Sequence, residues 1–289
     1  MAERPRFQPG DFALNLLLRG IIGFALLLPY RWRVPAMGGL MAQVLGPLAG
    51  YRRRALANLA LVWPDMPTAA RQTVARRALN NVGRSLIENY SPRLFRRRLA
   101  GTTATGPGVA VLQSRAATGQ SVILASGHYG NYEAARHVLA AQGLEIAALY
   151  RPMSNRYVNA HYVQTLAAVG APIFARGRAG TTGFVRHLKS GGTMAMLFDL
   201  HVVNGSPIPF LGKPALTALS AAEMALRYDA PLIPFYATRG ADGLGFAVVL
   251  DAPIPRDTAL NMTRALTRSL ESRIAARPDQ WFWIHRRWK

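Results

Sequence analysis

The amino-acid sequence predicts an α/β domain with a largely parallel central sheet flanked by helices. From residue 121 onward, short apolar runs alternate with segments in which apolar residues recur at helical spacing. Glycine, proline or polar residues bound each run, as expected for strands that are buried on both faces of a parallel sheet. The runs are SVILAS, EIAALY, APIFA, TMAMLF, APLIPFYA and GFAVVL, which begin at residues 121, 145, 171, 193, 230 and 245.

The predicted helices lie between and beyond these strands. Apolar periodicity indicates helices over 131–142, 154–169, 180–189, 217–228 and 257–276, the first three of which separate the first four strands. Before the sheet, residues 35–62 show two short helical patterns broken at Gly46-Pro47, and Pro67 begins a longer one. We therefore expect an α/β domain over residues 35–289, with a helical lead-in to about residue 105, behind an anchor helix in residues 1–34.

The N-terminal segment is apolar enough to interact with a membrane. Phe12 to Tyr30 is mostly apolar and interrupted by Asn15 and Arg19, and about twenty apolar residues are needed to cross a bilayer. A central arginine opposes spanning by roughly 2.5–3.5 kcal/mol, so a helix lying in the interface and a buried core helix remain alternatives. No A-x-A cleavage site follows, so we expect no cleaved signal peptide.

The arginines near this segment predict an orientation. Arg31, Arg33 and the run 52–54 lie on its C-terminal side; if the helix spans, they place the body of the protein in the cytoplasm. The residues expected to face the membrane are Phe12, Leu16, Ile21, Phe24, Trp32, Trp281 and Trp283. For the C-terminal tryptophans, packing of the tail onto the core is the alternative to an interfacial belt.

The charge balance narrows the possible partners. The chain of 289 residues has 35 Lys and Arg against 14 Asp and Glu, a formal net charge of +21. Such a surface attracts anionic headgroups, an acidic carrier protein or nucleic acid. No signature of RNA or DNA binding occurs, so nucleic acid is not an expected partner, although a non-enzymatic basic binder remains a distant alternative. The absence of cysteine excludes disulfides, thiolate metal sites and a cysteine nucleophile.

Several common catalytic motifs do not occur. The sequence contains no G-x-S-x-G elbow, no P-loop, no G-x-G-x-x-G and no H-E-x-x-H. It therefore predicts neither a metal site nor a cofactor.

The stretch GHYGNYE, residues 127–133, offers an acid–base pair. His128 follows the SVILAS strand, and sites in open α/β sheets collect beyond the carboxyl ends of strands. Gly127 and Gly130 permit tight turns there, and Asn131 can cap the next helix and place Glu133 in its first turn. A neutral imidazole can take a proton from an alcohol while a carboxylate on its other nitrogen fixes the tautomer. The alternative is a strand-end histidine beside an ordinary helix glutamate.

GHYGNYE resembles the H-x4-[DE] motif of glycerolipid and lysophospholipid acyltransferases, and within them the bacterial lipid A (lauroyl/myristoyl) acyltransferases. Further blocks similar to that family follow in order along about residues 10–289. They are RRRALANLALVWPDMP, ALYRPMSN, ARGRAG, MLFDLHVVNGSPIPFLGKPALT and PDQWFWIHRRWK. Several separated blocks in the right order are far more specific than one H-x4-E.

The resemblance implies an enzyme of the bacterial inner membrane with its catalytic domain on the cytoplasmic face. It would transfer a fatty acyl chain from a thioester, either acyl carrier protein or acyl-CoA, to a hydroxyl of a lipid A precursor. Other acceptors in related enzymes include phosphoinositide mannosides and ornithine lipids. Carried over by position, His128 is the general base and Glu133 its orienting carboxylate.

The resemblance also implies a set of substrate-binding residues. They are Arg151, Arg176, Arg178, Asp199, Phe210 and Gly212. One departure stands out, because Leu200-His201 follow Asp199 where the family often has glutamine. The loop up to Pro209 is therefore expected to differ in shape, which bears on the acceptor more than on the chemistry.

Overall fold

The computed structural model describes residues 7–289, apart from the side chain of Arg178. Within these residues, seven strands form the main sheet. They are β1 Ala104–Thr105, β2 Val122–Ser126, β3 Ile146–Tyr150, β4 Ile173–Ala175, β5 Thr193–Leu197, β8 Leu232–Arg239 and β9 Phe246–Leu250. Their order in the sheet is β1-β9-β8-β2-β5-β3-β4, and every neighbouring pair except β8–β9 is parallel. The predicted fold class is confirmed.

Helices cover both faces of this sheet. Along β2, Ile123 and Ala125 pack into one apolar cluster while Val122 and Leu124 pack into another, so alternate side chains are buried on opposite faces. The surrounding helices are α7 Gly108–Ala117, α8 Tyr132–Ala141, α9 Arg156–Ala167, α10 Arg178–Lys189, α11 Ser220–Arg227 and α12 Ala259–Ala276. Burial on both faces explains why the strands read as continuous apolar runs.

The lead-in is a set of helices ahead of the sheet. They are α1 Pro9–Leu27, α2 Tyr30–Leu40, a π-helical turn Met41–Leu45, α3 Gly46–Leu48, α4 Tyr51–Val62, α5 Thr68–Asn89 and α6 Pro92–Arg98. The predicted break at Gly46-Pro47 lies one turn too early, because Pro47 occupies the first turn of α3, where no backbone donor is needed. The chain turns instead at Gly50, whose φ is +71°.

Helix α1 is the one helix within residues 7–289 that is long and apolar enough to cross a membrane. Only Asn15 and Ile22 of this helix are buried, and Phe24 is 77% exposed. Phe12, Leu16 and Trp32 are also exposed, as the membrane prediction requires. Ile21 differs, because it packs against the apolar cluster that α1 and α2 form with α5.

A small antiparallel hairpin lies outside the main sheet and was not predicted. Strands β6 Ser206–Phe210 and β7 Lys213–Thr217 are joined by Leu211 and Gly212, both with positive φ, as a tight two-residue hairpin turn requires. Each strand pairs on one side only, so the prolines at 207, 209 and 214 are tolerated.

The C-terminal tail corrects one membrane prediction. Trp281 and Trp283 are 1% and 0% exposed, so neither faces a membrane. Trp283 lies 5.2 Å from Trp63, and Trp281 lies 5.3 Å from Phe210 between ring centroids. The indole nitrogen of Trp283 donates to the carbonyl of Pro278 at 2.7 Å. Buried indoles normally need such a partner, and the tail fills the space between α4 and the hairpin.

Candidate active site

His128 and Asp199 come together because of strand register. Strands β2 and β5 are parallel neighbours in which Ser126 pairs with Leu197. Each of the two residues therefore lies two positions beyond the carboxyl end of its strand, at the same edge of the sheet. The imidazole Nδ1 of His128 lies 2.7 Å from Oδ1 of Asp199.

Asp199 is enclosed by donors. Its Oδ2 accepts from the backbone N–H of His128 at 2.8 Å and from the indole Nε1 of Trp281 at 2.9 Å. The side chain is fully buried. Burial by itself would raise the pKa of Asp199, but the neighbouring His128, by its charge and its hydrogen bonds, holds that pKa below its usual range. The carboxylate therefore remains ionised and fixes the imidazole with Nδ1 protonated and Nε2 free to accept a proton.

The loop between β2 and α8 is held tightly in place. Gly130 has φ +59°, and a Cβ there would lie 1.9 Å from the carbonyl oxygen of Ala237, so only glycine fits against β8. Its N–H donates to the carbonyl of Gln280 at 2.8 Å. Asn131 caps α8 by accepting from the N–H of Glu133 at 3.2 Å. These contacts fix the backbone that follows His128, whose side chain lines a cavity.

Glu133 has a different partner from the one predicted. Its Oε2 accepts from Nη1 of Arg136 at 2.7 Å, one turn further along α8, and both side chains are buried. Arg136 also donates to the carbonyl of Ile146. The position on Nδ1 of His128 thus belongs to Asp199, which sequence reasoning had placed among the substrate-binding residues. Glu133 lines the same cavity as His128, and its role in the reaction stays a prediction.

A cavity of about 410 Å³ opens beside His128. Most of its wall is apolar, with Leu149, Leu166, Met196 and Phe235 among the lining side chains. Such a lining suits an acyl chain, because buried hydrocarbon gains about 0.8 kcal/mol per methylene removed from water.

Two predicted arginines stand together at the cavity. Arg151 and Arg176 each follow the last residue of their strand, and those last residues, Tyr150 and Ala175, are paired in the β3–β4 register. Neither guanidinium makes a hydrogen bond or ion pair with another described residue. They offer positive charge where an anionic substrate group can enter.

Other predicted residues lie elsewhere. Phe210 is buried under the rings of Trp281 and Trp288, and Gly212 forms the exposed hairpin turn; neither lines the cavity. Arg178 begins α10, and its side chain lies outside the described residues. The departure from the family at Leu200-His201 falls in a loop that Arg287 holds, since Nη1 of Arg287 donates to the carbonyls of Leu200 and Leu216.

Sequence reasoning missed His285. Its ring centroid lies 4.5 Å from that of His128, edge to face. Burial and the proximity of His128 lower the pKa of His285 to about 3, so this imidazole is neutral. Among the described residues, His128, Asp199 and His285 form the one group of three with ligand atoms within 4.8 Å of one another. Both Asp199 oxygens already accept from protein donors, so His128 and Asp199 form a hydrogen-bonded pair, and His285 packs beside it with its buried Nε2 making no hydrogen bond.

Comparison with known proteins identifies the family. A family model described as bacterial lipid A biosynthesis acyltransferase matches residues 8–289. A lipid A biosynthesis lauroyltransferase of Escherichia coli is 24% identical over 304 residues, covering 100% of this chain and 97% of that protein. A lipid A biosynthesis acyltransferase of Haemophilus influenzae is 24% identical over 249 residues, covering 83% of this chain and 78% of that protein. The resemblance in the motif blocks is confirmed: the chain belongs to the bacterial lipid A biosynthesis acyltransferase family and is an acyltransferase.

Proposed function

We propose that this enzyme transfers a fatty acyl chain from a thioester to a hydroxyl of a lipid A precursor at the cytoplasmic face of the inner membrane. The observation that carries the proposal is the 2.7 Å contact between Nδ1 of His128 and Asp199, set at the edge of a largely apolar cavity with two uncompensated arginines. The names of the relatives support the choice of acceptor. Phosphoinositide mannosides and ornithine lipids are alternative acceptors.

The reaction needs no nucleophile from the protein. Nε2 of His128 takes the proton of the acceptor hydroxyl as its oxygen attacks the thioester carbonyl. The tetrahedral intermediate then collapses to an ester, and the departing thiolate takes the proton from the imidazolium. Asp199 stabilises that imidazolium between the two steps. Arg151 or backbone N–H groups are suited to stabilise the oxyanion.

The positive surface fits the substrates of this reaction. Arg151 and Arg176 can bind phosphate on the acceptor or on the donor's phosphopantetheine arm. The donor is acyl carrier protein, which is acidic, or acyl-CoA. Helix α1, with its exposed apolar side chains, is proposed to hold residues 35–289 against the anionic membrane surface.

Removal of the base tests the mechanism. In His128→Ala, thioester consumption should fall by about 10²–10⁴-fold, the usual contribution of a general base, while membrane association and thermal stability stay near wild type. Activity close to wild type would refute the mechanism. Mass spectrometry of total lipid from a deletion strain then identifies the acceptor: loss of one acyl chain from lipid A supports the proposal, and loss from another lipid class favours an alternative acceptor.

A further inference from the structure

A second cavity, of about 330 Å³, lies next to the loop between β2 and α8, which carries His128. Its wall comes from α5, the turn between β8 and β9, and residues 277–280. Among the described side chains, it shares no lining residue with the cavity beside His128. The five arginines in this wall are Arg76, Arg77, Arg84, Arg239 and Arg277. We refer to it as the arginine cavity.

The positive charge of the arginine cavity is only partly neutralised. Glu88 is buried and pairs with Arg239, and Asp279 lies 3.6 Å from Arg277. Arg84 contacts the side chain of Asn80 and the carbonyl of Gly243, which are neutral. Burial is the main cause that lowers the pKa of Arg84; repulsion from Arg239 adds to it, and the charge of Glu88 opposes it.

Two further arginines of the cavity wall lack a polar partner among the described residues. Arg76 and Arg77 are exposed on α5 and make no hydrogen bond or ion pair with any residue from 7 to 289. Their spacing from Arg84 and from the amides of Asn80 and Asn81 places all five side chains on one face of the helix. Among the described residues, the guanidinium groups of Arg76, Arg77 and Arg84 thus line a concave surface without forming an ion pair, although the charge of Glu88 acts on Arg84.

We propose that the arginine cavity binds a phosphate-bearing ligand separately from the acyl-transfer cavity. Guanidinium groups match phosphate oxygens with pairs of parallel hydrogen bonds. The wall is polar, unlike that of the acyl-transfer cavity, so it suits a phosphate group rather than an acyl chain. The phosphate comes either from a soluble phosphate ester or from a phospholipid headgroup.

Hydrogen bonds join residues at the arginine cavity to the loop between β2 and α8. Glu88, which pairs with Arg239, also accepts from Nδ2 of Asn131 at 2.9 Å. Gln280, in the cavity wall, accepts from the N–H of Gly130 at 2.8 Å. Both contacts fall between His128 and Glu133. The test of this site does not depend on the proposed acyl transfer, because ligand binding can be measured without turnover.

The test compares two double variants that lose the same charge. Arg76→Gln/Arg77→Gln removes the unpartnered arginines of the cavity, and Arg52→Gln/Arg53→Gln removes two exposed neighbouring arginines of α4 that lie outside it. Glutamine preserves helix propensity, and equal melting temperatures check the fold. The full chain in an uncharged detergent is titrated with inorganic phosphate in a calorimeter at constant ionic strength. In a second arm, it is mixed with phosphatidylcholine vesicles containing phosphatidylglycerol.

The expected result is a loss confined to the cavity variant. Its phosphate affinity should be at least about tenfold weaker than that of wild type and of the α4 variant. A selective loss seen with vesicles supports a lipid headgroup as the ligand, and one seen with inorganic phosphate alone supports a soluble phosphate ester. Equal binding by the two double variants in both arms, or no binding by wild type in either arm, would overturn the proposal.

Discussion

Replacing Asp199 with asparagine should invert the hydrogen bond to His128. In the wild type, Oδ2 of Asp199 accepts from two N–H groups, the backbone of His128 and the indole of Trp281. An asparagine must keep its carbonyl oxygen at that position, since an NH₂ group cannot accept from them. Its NH₂ group then faces Nδ1 of His128. The imidazole is forced into the tautomer with Nε2 protonated, which cannot take a proton from the acceptor hydroxyl.

The size of the effect follows from these contacts. The variant loses one charge-assisted hydrogen bond, which is worth about 1.5–3 kcal/mol, and in addition holds the base in the wrong tautomer. The equivalent aspartate-to-asparagine change in a serine protease triad lowers kcat by about 10⁴. We expect acyl transfer by Asp199→Asn to fall about 10³–10⁴-fold, or about 4–5.5 kcal/mol in activation free energy. The variant should still fold, because its volume is unchanged and its hydrogen-bond partners are satisfied, with a stability loss limited to about the 1.5–3 kcal/mol of the charge-assisted bond.

The assay follows thiol release from an acyl thioester in detergent, with melting temperature as the check on folding. The double variant His128→Ala/Asp199→Asn provides a further control, because residues that act as a unit are not additive. It should be no slower than His128→Ala alone. If a folded Asp199→Asn variant keeps activity within tenfold of wild type, the assignment of Asp199 as the partner of His128 is refuted.

Three further predictions concern Glu133, His285 and Phe24. Glu133→Gln leaves Arg136 buried without its carboxylate and should cost about 3–5 kcal/mol of stability. The double variant Glu133→Gln/Arg136→Met should recover most of this stability in thermal melts, and a double variant as unstable as Glu133→Gln would contradict a structural ion pair. The pKa of His285 is about 3 in the folded chain, against 6.5 in the unfolded chain. At pH values between these two pKa values, the unfolded state binds more protons than the folded state. The free energy of unfolding therefore falls on acidification by up to about 1.4 kcal/mol per pH unit. His285→Gln should flatten that slope in melts from roughly pH 4 to 7, and an unchanged slope would argue against a neutral buried imidazole. Phe24→Glu should weaken membrane association by about 2.5–3.5 kcal/mol in fractionation, whereas Phe24→Leu should not, and equal partitioning of the two would argue against α1 as the anchor.

The sheet was predictable because buried parallel strands leave a clear pattern. Every strand longer than three residues in the main sheet coincides with a predicted apolar run. The hairpin was not predictable, because Pro207, Pro209 and Pro214 argue against a strand unless the pairing is known to be one-sided. Two-residue β1 is too short to leave any periodic signal.

One member of the candidate acid–base pair was predictable from the sequence. His128 stood out by its position after a strand, but the motif suggested Glu133 as its partner because the two are close in sequence. Asp199 is 71 residues away, and only the parallel β2–β5 register brings it to Nδ1. The predicted strands already contained this information, since His128 lies two positions beyond the run SVILAS and Asp199 directly follows the run TMAMLF. For Trp281 and Trp283, the interleaved aromatic and basic residues of the sequence are equally compatible with an interfacial belt and with a buried tail. Only the packing of the folded chain, which buries both indoles, decides between them.

The contacts of the C-terminal tail have a consequence for the order of events during synthesis. Trp281 lies 82 residues beyond the carboxylate to which it donates, and Arg287 lies 87 residues beyond the Leu200 carbonyl that it holds. During synthesis, His128 and Asp199 are therefore both made before the residues that enclose them. The carboxylate can acquire its indole donor only after Trp281 has left the ribosome. A nascent chain that has passed Asp199 but not Trp281 holds its histidine and aspartate without the contact that fixes the carboxylate.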